Sequence, residues 1–146
     1  MATYFPHVNR VEAVTLPNEQ MLRRIDEILL EASQGDPAVL AIEMIASYGM
    51  AVGAEVFETC VWIGRFCERW ASTTGAPPVR IARMAVKLAI CHDSRAKDAN
   101  IRAALIDQFG GALATKKGGA LYRVKGDEWA ALALAMTCNI GGRRTA

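Results

Sequence analysis

Val39-Leu40-Ala41-Ile42-Glu43-Met44-Ile45 is an apolar run with one carboxylate set into it. A short, near-continuous run of this kind fits a strand covered on both faces, here predicted over 38–45. A charge in such a strand is costly unless it is paired or holds a metal ion. Far along the chain a second acid, Asp127, opens Asp127-Glu128-Trp129-Ala130-Ala131-Leu132-Ala133-Leu134-Ala135, an alanine-rich helix whose small faces permit close packing across a sheet. In open α/β sheets ligands collect at the carboxyl ends of strands, and Glu43 lies near such an end. Two acids meeting there suggest a divalent-cation site that polarises a phosphodiester and activates water. The plainer alternative is that Glu43 turns outward or pairs with an arginine, while Asp127 only caps its helix.

Outward from that strand, weak alternation from Val8 to Thr15 predicts another strand, broken by Leu16-Pro17-Asn18. Asn18 is a suitable N-cap for a helix through Ala32, which places Leu22, Ile25, Ile28, Leu29 and Ala32 on one face. Ser33-Gln34-Gly35-Asp36-Pro37 reads as a turn, and 46–53 as a loop after the Glu43 strand. A long helix follows over about 54–71, with Val56, Phe57, Cys60, Val61, Phe66 and Trp70 in a wide apolar stripe. Val79-Arg80-Ile81 is a short strand, followed by a helix over 84–91, a loop over 92–96 and a helix from Lys97 through Phe109. Gly110-Gly111 and Lys116-Lys117-Gly118-Gly119 bracket a flexible, basic connection. The last helix is expected over 127–138, with fraying at Gly141-Gly142-Arg143-Arg144. Alternating strands and helices without an internal repeat predict one three-layer α/β domain over 1–146.

The 146 residues are about one domain's worth, and 52% hydrophobic content is enough for a sizeable core. No stretch approaches the roughly 18–20 apolar residues of a membrane span. The start, Met1-Ala2-Thr3-Tyr4-Phe5-Pro6-His7, lacks the basic and apolar regions of a signal peptide, so a soluble cytoplasmic protein is expected. Cys60, Cys67, Cys91 and Cys138 form no Cys-x-x-Cys pair and are expected as buried, reduced thiols. Net charge is only +2, but the cations are grouped, at Arg80, Arg83 and Lys87, at Arg95 and Lys97, and at Lys116-Lys117, Arg123-Val124-Lys125 and Arg143-Arg144. The bland reading of Lys116-Lys117 is a mobile, solubilising loop. Trp62 and Trp129 are expected in the core.

Several stretches taken in order carry a family resemblance. They are Leu40-Ala41-Ile42-Glu43-Met44, the Gly49/Gly53 loop, and Val56 to Trp70 around Trp62-Ile63-Gly64-Arg65-Phe66. Val86-Lys87-Leu88, Arg95-Ala96-Lys97-Asp98-Ala99-Asn100-Ile101-Arg102 and Lys125-Gly126-Asp127-Glu128-Trp129-Ala130-Ala131-Leu132-Ala133 complete the set. From about Asn18 to Thr137 the chain resembles the RuvC-like Holliday-junction resolvases, especially those of phages and prophages. The resemblance implies an RNase H-like fold, a mixed central sheet flanked by helices. It also implies magnesium-dependent cutting of four-way DNA junctions in recombination, repair or phage DNA processing, with Mn²⁺ able to substitute. Carried over to this chain, Glu43 and Asp127 are the catalytic metal ligands. Lys97, and more weakly Lys87 and Arg95, hold DNA phosphates. Tyr48 and Met50 follow Glu43, where side chains can touch an opened junction. Family members act as two-fold dimers, and the 54–71 helix is the natural face for pairing, with core packing an equal explanation of its stripe.

The chain also departs from the family. The aspartate-bearing Gly-Ile-Asp-Pro-Gly type of first strand is absent, Asp26 falls inside the first helix, and Glu12 is expected on a solvent-facing strand edge. The N-terminal strands therefore read as truncated. A two-metal site normally draws on three or four carboxylates, so a missing central acid should weaken cleavage severely. Three readings follow: a junction endonuclease, a catalytically inactive branched-DNA-binding relative or truncated fragment, and an interaction protein whose acids merely cap and pair.

Overall fold

Thr3-Tyr4-Phe5 is a run of good strand formers, and Pro6 and Asn9 supply a turn that returns the chain on itself. In the computed structural model β1 (Ala2–Phe5) and β2 (Arg10–Ala13) form an antiparallel hairpin in the register Ala2↔Ala13, Thr3↔Glu12, Tyr4↔Val11, Phe5↔Arg10. Asn9 takes a positive φ of 50°, which asparagine tolerates better than most residues. The strand expected over 8–15 is thus shorter, and Val8 belongs to the turn, its N–H donating to the Phe5 carbonyl at 3.3 Å. Glu12 is exposed on the hairpin, as expected, and pairs with Arg10 at 3.2 Å.

The structure describes residues 1–32, 38–46, 49 and 51–143. The chain divides into two compact units, one made of Met1–Thr15 with Ile81–Ala146 and the other of Leu16–Arg80. In the first unit α3 (Arg83–Cys91), α4 (Asp98–Gln108) and α5 (Glu128–Arg143) pack with the hairpin. Helix α5 touches α3, α4, β1 and β2, so it is the centre of this unit. The reason lies in its sequence: Leu132 and Ala133 are fully buried, and the alanines beside them leave room for several neighbours at once. Val86, Ile101, Leu105 and Leu121 close the same core, each worth about 1.5–3 kcal/mol by burial. Tyr4 meets Phe109 edge-on, with ring centroids 5.9 Å apart, tying the hairpin to the end of α4.

Helix α5 runs five residues past the expected end at 138. Gly141 stops a helix only by adopting the left-handed conformation, and it does not do so here. The connection between α4 and α5 also differs from expectation. It contains a 3₁₀ helix (Gly111–Thr115) and a chain of turns, and it buries Ala114 and Leu121. It is an ordered plug rather than a flexible link, because Leu121 fills the core.

In the second unit α1 (Asn18–Ala32) packs on α2 (Ala54–Thr74) around the buried Ile25. Arg65–Glu19 and Arg69–Asp26 ion pairs join the two helices along their exposed rim, where such pairs contribute little. Asn18 is the first helical residue rather than the cap, since the Pro17 carbonyl accepts the Met21 N–H at 2.9 Å. Helix α2 closes at Gly75, whose φ of 73° is the left-handed cap. The predicted turn at 33–37 lies outside the described residues.

Strand β3 (Ala41–Met44) is shorter than the predicted 38–45 and pairs with β4 (Val79–Ala82). The Val79 N–H donates to the Leu40 carbonyl at 2.8 Å. The α/β class is as expected. Its sheet content among the described residues is two two-stranded ladders, β1–β2 and β3–β4.

Candidate functional site

Glu43 sits on β3 in the second unit, half-buried, at the third of the strand's four positions. Asp127 sits in the first unit, immediately before α5. Its carbonyl accepts the Ala131 N–H at 3.1 Å, which makes it the N-cap residue by backbone geometry. The Asp127 side chain is exposed and makes no hydrogen bond among the described residues. The acid that α5 buries is its neighbour.

Glu128 is 4% exposed, a charged residue buried in the core. One oxygen accepts the Lys125 N–H at 2.9 Å, and the other faces the Thr15 hydroxyl at 3.4 Å. A carboxylate over the first turn of a helix also meets the positive end of the backbone dipole. The sequence expectation names Asp127, whereas the acid buried at this helix start is Glu128. The signal was present: Glu128, Leu132 and Met136 recur at i, i+4 and i+8, the spacing of one buried helical face.

A hard divalent cation takes about six or more oxygen ligands, several of them carboxylates. Among the described residues no three His, Cys, Asp or Glu side chains group as metal ligands. Glu43 and Asp127 belong to different units. The described residues thus show no cluster of metal ligands, and no chemical step is derived through a cation.

The basic candidates all fall in the first unit, on α3 and the connection to α4. Lys87 is half-buried on α3, whereas Arg95 and Lys97 are exposed. The Arg95 N–H is fixed by the Asp93 carboxylate at 2.8 Å, a local turn that holds the loop. Lys97 is the N-cap of α4, and the Asn100 side chain accepts its N–H at 2.9 Å. A cation at a helix N-terminus opposes the backbone dipole, so helix stability does not explain this lysine. Asp98 in the same turn pairs with Arg83 and ties α4 to α3.

Other expectations fare unevenly. Trp129 is in the core as predicted, with the Arg102 guanidinium 4.9 Å from its ring centroid. Trp62 is only half-buried, held by a hydrogen bond to Glu58 at 3.0 Å and by Arg65 over its ring. The thiols are not buried: Cys60 is exposed, and Cys67, Cys91 and Cys138 are half-buried. The α2 stripe that suggested burial is largely uncovered, with Phe57 and Val61 open to solvent. Tyr48 and Met50 lie outside the described residues. No described helix is long and apolar enough to cross a membrane.

No family model and no curated protein matches the sequence. Among solved structures, the chain is similar to Thermus thermophilus RuvC, with a TM-score of 0.58 at 19% identity. The likeness covers 93% of this chain and 77% of that one. The chain therefore has a RuvC-like α/β fold.

Proposed function

We propose that this protein acts on branched DNA, engaging four-way junctions through exposed cations of its first unit. The observation that carries the proposal is the RuvC-like fold extending over 93% of the chain. Arg95 and Lys97 support it as exposed cations, with Lys87 a half-buried third. Phosphate contacts of this kind position a protein on DNA without reading sequence. The resemblance in sequence adds metal-dependent junction cleavage with Mg²⁺ or Mn²⁺, Glu43 and Asp127 as ligands, and a homodimer matching the two-fold junction.

A second reading, junction binding without cleavage, is favoured by one observation. No group of three potential metal ligands forms among the described residues. A labelled four-way junction incubated with the protein and Mg²⁺ or Mn²⁺ separates the two. Symmetric nicking that Glu43→Gln and Asp127→Asn both abolish identifies a working nuclease. Binding without nicking, weakened by Lys97→Ala, identifies a junction-binding protein. Absence of any junction binding at low salt overturns both readings.

A further inference from the structure

The stretch from Gly110 to Gly126 contains no acid and four cations, Lys116, Lys117, Arg123 and Lys125. Those four exceed the net +2 of the whole chain, so the remaining residues together are net acidic. All four are exposed, and none forms an ion pair among the described residues. Unpaired like charges normally sit on loose chain, where they repel and spread. Here they are held in place.

The holding is specific. Leu121 is 1% exposed, and its N–H donates to the Ala114 carbonyl at 2.9 Å. The Gly119 N–H donates to the Lys116 carbonyl at 2.9 Å, and the Tyr122 N–H to the Gly119 carbonyl at 3.0 Å. Gly119 lies so close to the 3₁₀ helix that an added Cβ would stand 2.3 Å from the Ala114 carbonyl oxygen. Immediately after the buried leucine, Tyr122 stands 43% exposed, with the Arg123 guanidinium 5.5 Å from its ring centroid. Arg123 itself has a φ of 72°, a conformation an arginine adopts at a cost of about 1–3 kcal/mol. The fold thus orders a loop, strains its backbone and leaves an aromatic ring and four cations facing solvent.

We propose that this loop is a binding site for a single nucleic-acid strand, with Lys116 and Lys117 on its phosphates and the Tyr122 ring stacked on an unpaired base. Charge complementarity selects a polyanion, and the exposed ring beside a cation selects one that offers base faces. Because the loop backbone is ordered before binding, the backbone part of the entropy cost of presenting its cations is already met in the free protein. The loop leads directly into Asp127 and α5, so a strand held here runs past the start of that helix. The inference deepens the branched-DNA reading and rests on it, since opened junctions expose unpaired strand.

The test is fluorescence anisotropy of the full chain against a labelled oligothymidine and a labelled four-way junction over a range of salt. Replacing both lysines (Lys116→Ala with Lys117→Ala) should lower the slope of log affinity against log salt by about 1.4, at roughly 0.7 per phosphate contact. Tyr122→Ala should weaken oligothymidine binding by about 5- to 150-fold, and Tyr122→Phe should retain it. Unchanged thermal melts show that these exposed substitutions leave the fold intact. If the variants match the unaltered chain in affinity and slope while junction binding persists, the loop assignment falls and the branched-DNA reading stands. Junction binding with no oligothymidine binding overturns the single-strand occupant. Binding of neither DNA overturns both.

Discussion

The Glu128 carboxylate accepts the main-chain N–H of Lys125, three residues earlier, at 2.9 Å. This bond joins the end of the basic loop to the first turn of the central helix. Glu128→Ala leaves the Lys125 N–H without its partner in a part-buried place and removes a carboxylate from the core. The expected loss is about 1–3 kcal/mol of stability. Glu128→Gln keeps an acceptor of the same shape and should lose less. Urea midpoints of the two variants check the ordering, and a Gln variant as unstable as Ala contradicts it.

Gly119 is required by space rather than by backbone angle. Gly119→Ala drives a Cβ against the Ala114 carbonyl, so either the loop shifts or the 3₁₀ helix does. Overpacking of this kind costs about 1–3 kcal/mol. Gly118→Ala meets open space but strains a φ of 90°, which gives a useful contrast. An unchanged melting temperature for Gly119→Ala would show that the contact is not tight in solution.

Thiol reactivity should follow exposure. Cys60 is exposed on α2 and should alkylate first. Burial pushes the Cys138 thiol pKa above its ordinary value, which lowers its thiolate fraction at neutral pH. Its alkylation should therefore be slow at pH 7 and keep rising beyond the pH at which an ordinary thiol has levelled off. Peptide mapping after limited iodoacetamide treatment reads both. Cys138 labelled ahead of Cys60 would contradict the burial order.

Phe57 and Val61 are exposed one turn apart on α2. If two copies pair on this helix, Val61→Glu should abolish the dimer and leave the fold unchanged. Sedimentation at several concentrations, with circular dichroism as the control, decides this. A chain that is monomeric before the substitution removes the dimer from the proposed function.

The helices were legible because their apolar spacing and end signals agree. Gly75 closes α2, and Ile101 and Leu105 face inward, as the 3.6-residue period requires. Strand β1 was not legible. Thr3-Tyr4-Phe5 is too short to show alternation, and only its pairing with β2 reveals it. The α2 stripe misled in another way. Periodicity marks an apolar face but does not say whether the same chain covers it. Phe57 and Val61, open between core packing and a pairing face, stand in solvent, and so does Cys60, expected as a buried thiol. At the candidate site, composition marks the acid at the helix boundary, Asp127, and the periodic face marks the buried one, Glu128. Lys116-Lys117-Gly118-Gly119 looked mobile because glycine and lysine dominate it. The order comes from Leu121 and from the approach of Gly119 to Ala114, which composition does not display.

Helix α5 packs against a hairpin that lies more than a hundred residues earlier in the chain. During synthesis the hairpin emerges well before the helix that covers it. A two-stranded ribbon alone is marginal in water, so β1 and β2 lack most of their packing until α5 is complete. The Leu16–Arg80 segment is complete by then. Assembly of the first unit is thus a long-range closure, slow by topology, and translation of α5 sets its start.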